Sequence, residues 1–435
     1  MRNHRHDLAK VSRFLIAAFF VSIQVGCSAF LTSNSQQKTP TVVVTPDTPV
    51  VVVSSPADGA TVSGGTVTIS GTCTTASGDV TISGSGIQSD VNTSCTSDAF
   101  TGNATLTAGD GDKTVTASQG NGSGTTTKTI TLHRPCAENY VRIPANATLG
   151  SSAFCMAKYE MKLKTNAGAA VFDGTNGGVA VNVTQYVPDS RPDGVPWVRI
   201  TQANAIAECA TLGAGYHLAT GREWAAMTRN LETVAANWDG GTPGTGLMFR
   251  GHSDGAISGT AVADGYAVSS TSLLSSGDGT NAYVGTGNAS GDAFSSGGDQ
   301  RRTFTLSTGE VIWDIAGNAR DMIDIDGAGS TISYTGGGSS SYNDVFSAAA
   351  TSFLSSIVLS GGGAFNTNWL QPATAGLDNT TNNTGRWYIS SNARTGRIVT
   401  RGANFSSSNS PGIFAADFDA DNNTLSSSAG FRCAK

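Results

Sequence analysis

The sequence predicts an α+β fold preceded by an all-β sandwich. Three observations lead there. Between residues 55 and 133, short runs alternate polar and apolar residues with a period of two, separated by Gly, Asp and Ser clusters. After residue 200, two stretches change to helical spacing. The remainder, from about residue 134 to 435, is more aromatic, with long Gly-, Ser- and Asn-rich stretches between scattered short strand patterns.

In chain order, the first element is a targeting segment. Arg2, Arg5, Lys10 and Arg13 precede the apolar run from Phe14 to Ile23. That run is too short to span a bilayer, which takes about 20 residues. Ile23-Gln24-Val25-Gly26-Cys27 follows. Residues 1–27 therefore have the layout of a secretory signal, with a thiol at the cleavage position. The segment is similar to a lipobox, where cleavage precedes a cysteine that is then acylated. Gln24 stands where a lipobox has Leu, Val or Ile, and Ser28 rather than Asp follows the cysteine. The expectation is a bacterial lipoprotein lipidated on Cys27, held at the outer membrane or cell surface. No later segment is apolar enough to span a membrane, so the attachment would be all lipid.

Residues 28–54 read as an extended spacer, because Thr39-Pro40-Thr41-Val42-Val43-Val44-Thr45-Pro46 and Pro49 mix Pro, Thr and Val. Residues 55–133 read as the sandwich. Its strands are expected at Thr66–Ser70, Val80–Ser83, Lys113–Ala117 and, last, Thr127–Leu132. It holds few charges and no catalytic constellation, and its pattern is similar to bacterial Ig-like spacer modules. Cys73 and Cys95 are its only cysteines and are expected to pair within it.

Composition narrows the function. A chain of 435 residues suits two or three domains. Only 13% of residues are charged and 54 are glycine, against about a quarter charged in typical globular domains. The net charge is −6, and there is no basic stripe with interleaved aromatics, which argues against nucleic acid as a partner. Of seven cysteines, six remain once Cys27 is set aside: Cys73, Cys95, Cys136, Cys155, Cys209 and Cys433. An even number in an exported chain reads as disulfides, with fifteen possible pairings. None sits in a CxxC pair.

Residues 134–435 form the last and largest region. Ala203, Ile206, Ala207 and Ala210 recur at helical spacing, and Gly213 can end that helix. Thr220-Gly221-Arg222-Glu223 fits a capping box that opens a second helix, with Trp224, Met227 and Leu231 as its buried stripe.

Four motifs in this region carry a family resemblance. They are Phe154-Cys155-Met156-Ala157-Lys158-Tyr159-Glu160-Met161, Gly215-Tyr216-His217-Leu218-Ala219-Thr220-Gly221-Arg222-Glu223-Trp224, Gly309-Glu310-Val311-Ile312-Trp313-Asp314-Ile315-Ala316-Gly317-Asn318 and Gly430-Phe431-Arg432-Cys433. In this order they resemble the formylglycine-generating-enzyme (sulfatase-modifying-factor) family. The resemblance implies that family's branch of the C-type lectin fold. It also implies a disulfide from Cys209 on the first helix to Cys433 in the last strand, which leaves Cys136 for Cys155.

The family's chemistry is not carried over. Formylglycine-generating enzymes hold copper with a cysteine pair after a strand that Gly361-Gly362-Gly363-Ala364-Phe365-Asn366-Thr367-Asn368-Trp369 resembles, and that segment contains no cysteine. A cuprous ion needs soft thiolates. Related iron-dependent sulfoxide synthases need three histidines. Here there are His217, where the family has arginine, and His252, in an expected surface turn near Asp254, beside His133 at the domain edge. Calcium is the one cofactor kept open. Asp324 and Asp326, and Asp417, Asp419, Asp421, Asn422 and Asn423, offer clustered oxygen donors.

Arg401-Gly402-Ala403-Asn404-Phe405-Ser406-Ser407-Ser408-Asn409-Ser410-Pro411-Gly412-Ile413-Phe414 resembles the ligand-binding signature of C-type-lectin-fold receptors and adhesins, with Ala403 for a glycine and Phe405 for a tryptophan. The resemblance makes Asn404, Ser406, Ser407, Asn409 and Ser410 the binding positions, with Asp417 and Asn422 on the same face. Short polar side chains suit the task, since they donate and accept at little entropic cost. The expected function is a surface-anchored binding lipoprotein, adhesin- or receptor-like, with a protein or glycan ligand at a cell surface. The alternatives are a superfamily enzyme with altered metal-dependent chemistry and a purely structural envelope protein.

Overall fold

The computed structural model describes residues 47–107, 109–171, 185–253, 273–276, 281–289, 300–336, 341–363, 365–407, 410–423 and 425–435. Cys27, most of the spacer, Asp254, Ser408 and Asn409 lie outside the described residues. From Asp47 to Lys435 the chain is one compact unit.

Residues 52–134 form two facing sheets. One has the order Val52–Ser55, Thr66–Thr72, Ala99–Thr105; the other has Val91–Thr93, Val80–Ser83, Gly111–Asn121, Gly124–Arg134. The period-two pattern is the cause. Thr66 and Thr68 face water while Val67 and Ile69 turn inward, as alternating strand residues must. Val67, Ile69 and Phe100 meet Val80, Ile82, Val115, Ile130 and Leu132 in one core. Cys73 and Cys95 are bonded across 6.0 Å between Cα atoms. Val52–Ser55, which the sequence assigns to the spacer, is the first strand of this layer. Charged contacts join the sandwich to the C-terminal region. Asp112 accepts from His133 Nδ1 at 2.6 Å and pairs with Arg142, and Lys435 Nζ lies 3.1 Å from Asp110.

The C-terminal region departs from the expected fold. Strand makes up 36% of the structure and helix 13%, spread over several sheets. The chain is therefore β-rich, and the α+β lectin-type fold is not what it adopts. The helical signals were sound but local. They yield one helix at Gln202–Thr211 (α1) and one at Gly221–Glu232 (α2); short helices at Ala348–Leu354 and Asn379–Asn382 were not expected. Elsewhere Gly, Ser and Asn, poor helix formers, leave the backbone to pair as strands of two to eight residues.

The two main helices form for identifiable reasons. Thr201 Oγ1 accepts from Asn204 N at 3.2 Å to cap α1. At α2, Thr220 Oγ1 accepts from Glu223 N and the Glu223 carboxylate accepts from Thr220 N, a complete capping box. Trp224, Met227 and Leu231 are fully buried. Cys209 on α1 is bonded to Cys433, and Cys136 to Cys155, with Cα separations of 5.4 and 5.6 Å.

The largest sheet runs in the order Ser341–Asp344, Arg386–Ile389, Ala416–Asp421, Arg394–Arg401, Arg320–Met322, Ala429–Phe431, with Ile332–Tyr334 and Val358–Leu359 as a branch. The motif segments are strand only in part. Phe154–Met161 is not one strand, because Phe154–Ala157 ends before a second strand begins at Met161. Gly309–Asn318 keeps only Val311–Trp313 as strand. Segment 361–369, which resembles a strand of formylglycine-generating enzymes, has no strand among its described residues, which form a turn and then a 3-10 helix at Thr367–Trp369.

Candidate functional site

The large sheet carries a cleft on one face. Its floor is a single cross-sheet row. Tyr342 pairs with Tyr388, Tyr388 with Asp417, Asp417 with Thr400, and Thr400 with Met322. Register partners share a face, so these five side chains rise together. With strands about 4.8 Å apart, the row spans about 19 Å. Period two then brings Arg386, two residues before Tyr388, and Arg320, two before Met322, to the same side.

Over this floor folds the loop that follows Arg401. The cavity they enclose is about 160 Å³, and Asn404, Ser406, Ser407, Ser410 and Asp417 all line it. Five of the seven expected binding residues thus meet in one place. Asn409 is outside the described residues. Asn422 does not line the cavity; it follows the strand end at Asp421, about 16 Å of extended chain beyond Asp417.

The roles within the loop differ from expectation. Asn404 is only 8% exposed. Its Oδ1 accepts from Ser406 N (3.1 Å), Ser406 Oγ (3.1 Å) and Ser407 Oγ (2.9 Å). Asn404 N donates to Ser407 Oγ, and Ser410 N to Ser407 O. Asn404 therefore shapes the loop, and Ser406 is the exposed residue of the group. Ser410 is buried at the cleft wall. Phe405 turns away, stacking on His252 at 6.4 Å and packing near Val195, Val198 and Leu273. His252 is fully buried, so its turn is not a surface one.

Sequence reading missed Arg320, Tyr342, Arg386, Tyr388 and Thr400. A signal existed for two of them: in Arg386-Trp387-Tyr388-Ile389, Trp387 and Ile389 are buried and Arg386 and Tyr388 are not. The tyrosine rings lie 5.2 Å apart, and Tyr342 is 56% exposed. Burial and the Asp417 charge push the Tyr342 phenol above its ordinary value, against Arg320, so it stays neutral and able to donate. Thr400 is 1% exposed, and its hydroxyl has no hydrogen-bond partner among the described residues; neither has Arg320 Nε.

The acidic clusters have protein partners. Asp417, Asp419 and Asp421 face Arg320, Arg394 and Arg397 respectively, the last two at 2.6 and 2.7 Å. Asp324 accepts from Gly327 N and Gly329 N, and Asp326 from Ala328 N. Asn423 N donates to Asp421. Among the described residues, no group of three or more His, Cys, Asp or Glu is placed to hold a metal ion. His217 hydrogen-bonds Glu223 at 2.9 Å.

A second titratable cluster is packed inside. Burial, reinforced by the charges of Asp314 and Asp321, raises Glu160 well above an ordinary carboxyl, while burial lowers Lys162 to about 7 and raises Asp321 to about 6. Glu160 accepts from Asn318 Nδ2 and Ala319 N, Lys162 donates to Arg191 O, and Arg432 holds Asp321. These bonds satisfy groups whose burial would otherwise be costly, and mark the cluster as framework.

No family model matches the chain, and no curated protein does either. Solved structures that match include an engineered protein, at 25% identity over 20% of each chain with a TM-score of 0.18. Another is a modular endo-beta-1,4-mannanase from Cellulomonas fimi, at 24% identity over 20% of this chain and 18% of that one, with a TM-score of 0.17. The chain thus spans about a fifth of either. Among the described residues, no helix is long and apolar enough to cross a membrane.

Proposed function

We propose that this chain is a surface-anchored ligand-binding lipoprotein, adhesin- or receptor-like, and that its working surface is the cleft around residues 404–417. One observation carries the reading. Asn404, Ser406, Ser407, Ser410 and Asp417 line one cavity together with an exposed tyrosine and two arginines from other strands. Concave sites with a few convergent polar groups are where ligands bind. Lipid on Cys27 would tether the chain at the bacterial outer membrane or cell surface, where three disulfides persist. The ligand classes are a cell-surface protein or glycan.

The test uses the full-length protein on arrays of cell-surface proteins and of glycans. Saturable binding that Ser406→Trp abolishes, by filling the cleft, is the expected result. Absence of saturable binding on both arrays, or binding indifferent to Ser406→Trp, sinks the proposal. For the anchor, cells fed an alkyne-tagged fatty acid should label the wild type and not Cys27→Ser.

A further inference from the structure

We infer that the ligand is a neutral oligosaccharide of at least two rings, laid along the cross-sheet row from Tyr342 toward Met322. The inference rests on the binding reading above and specifies its ligand. The cleft does not stop at Asp417. A second hollow of about 400 Å³ adjoins it, sharing Arg320, Thr400 and Asp417 and reaching Arg397, Asp421 and Met322. Together they reach from Tyr342 across the floor row to Met322 and along the strands toward Arg397 and Asp421, and the row alone, about 19 Å, is longer than a single sugar ring fills.

Charge pairing decides between ligand classes. The carboxylates of Asp417, Asp419 and Asp421 each face a guanidinium, and Arg386 Nε sits 3.1 Å from Asp344. A charged ligand would have to compete with an existing partner and be desolvated besides. A sugar hydroxyl does not face that competition. It can donate to a paired carboxylate and accept from the neighbouring guanidinium at once, as the Asp417–Arg320 pair shared by the two hollows allows. Thr400 Oγ1 and Arg320 Nε, in the shared floor, are buried, so the hydroxyls meet the exposed parts of the Arg320 and Asp417 side chains beside them. At the open end, the Tyr342–Tyr388 pair supplies an apolar face for the C–H side of a pyranose ring. A peptide would instead want a deep apolar pocket for an anchor side chain, and the lining offers an exposed tyrosine pair and small or buried apolar residues among arginine, aspartate, asparagine, serine and threonine.

The experiment prints neutral and acidic oligosaccharides on one array and cell-surface proteins on another. It probes both with full-length protein in a detergent without a sugar headgroup, then titrates the best neutral glycan calorimetrically. Tyr342→Ala should weaken binding about tenfold or more (~1.4 kcal/mol), and Tyr342→Phe by less than about threefold. Affinity should change by less than about twofold between about 0.05 and 0.5 M NaCl, since screening acts on charges, and chelator should leave it unchanged. Tyr342 is exposed, so its variants should keep the wild-type melting temperature; should one misfold, Ser406→Trp gives the second reading. Preference for acidic glycans, a steep fall with salt, or loss with chelator overturns the inference. Binding only on the protein array, lost with Ser406→Trp, overturns it too but leaves the cleft as the binding site. Silence on both arrays removes both readings.

Discussion

Removing the Cys209–Cys433 disulfide should destabilise the C-terminal region far more than removing Cys73–Cys95 destabilises the sandwich. The first bond closes 224 residues and the second 22. Chain entropy lost by the unfolded state grows with the logarithm of the loop, giving about 5 kcal/mol for the longer and about 3 kcal/mol for the shorter, both upper values. Cys209 and Cys433 are fully buried, tying α1 to the strand Cys433–Ala434, so the bond joins segments that meet only in the folded chain. Tryptophan separates the two effects. All six tryptophans, residues 197, 224, 238, 313, 369 and 387, lie C-terminal to the sandwich. Urea titration followed by tryptophan fluorescence should show the Cys209→Ala/Cys433→Ala midpoint about 2 M below wild type, for a slope near 2–3 kcal/mol per M. Cys73→Ala/Cys95→Ala should move that transition far less. An equal or larger shift from the sandwich pair would refute the loop-length reasoning.

Four further outcomes follow from local geometry. Thr220→Ala removes the hydroxyl half of the capping box, leaving the backbone N–H of residue 220 its bond to the Glu223 carboxylate, and should cost about 1 kcal/mol in thermal unfolding. The neighbouring His217–Glu223 pair should add a pH window. The Glu223 hydrogen bond, offset in part by burial, raises His217 above 6.5, so its contribution is complete below that value and fades as pH rises through the folded value. Burial opposes ionisation of Glu223, but His217 and Thr220 outweigh it and hold the carboxyl below 4.5, so that contribution is lost as pH falls through the folded value. Melting temperature should therefore carry a His217-dependent plateau between 4.5 and 6.5 that His217→Gln erases. Arg302 binds both oxygens of Asp314 at 2.7 Å with neither side chain exposed, so Arg302→Met should cost about 3–5 kcal/mol in denaturant. Arg302→Met/Asp314→Leu should recover much of it, and failure to recover would place the cost in the lost bonds to Ser275 and Val284. Ala403 sits at φ +64, a conformation glycine adopts freely, so Ala403→Gly should leave the melting temperature unchanged or raise it.

Local signals were legible and long-range pairing was not. The sandwich strands are long enough for alternation to repeat, as in Gly111–Asn121. The capping box is a four-residue chemistry that needs no tertiary context. In the large sheet, Arg320–Met322 has three residues, and its partners lie near residues 400 and 430. Three residues hold barely one alternation. Phe154–Ala157 holds none, being buried at every position, as strands covered on both faces are. Helical periodicity at α1 and α2 was therefore the clearest signal in this region, and both helices form, while the short strands and the two further short helices carried no signal of comparable length.

The loop after Arg401 shows a related gap between composition and direction. A run of Ser and Asn reads as polar, but polarity does not say which side chain faces out. Asn404 is spent on its own loop, receiving three hydrogen bonds, and this aims Ser406 at the cleft. The tyrosines opposite belong to distant strands whose register is set by what they bury. Trp387 and Ile389 lie in the core, with Trp387 Nε1 donating to Phe414 O at 3.1 Å. Period two then forces Tyr388 outward, and pairing carries Tyr342 with it. A slip of one residue would send both tyrosines inward and the tryptophan into water. The tyrosines that line the cleft are thus held in place by core residues that do not line it. Conservative changes at Trp387 should then disturb binding through register, while changes at Ser406 act on the ligand directly.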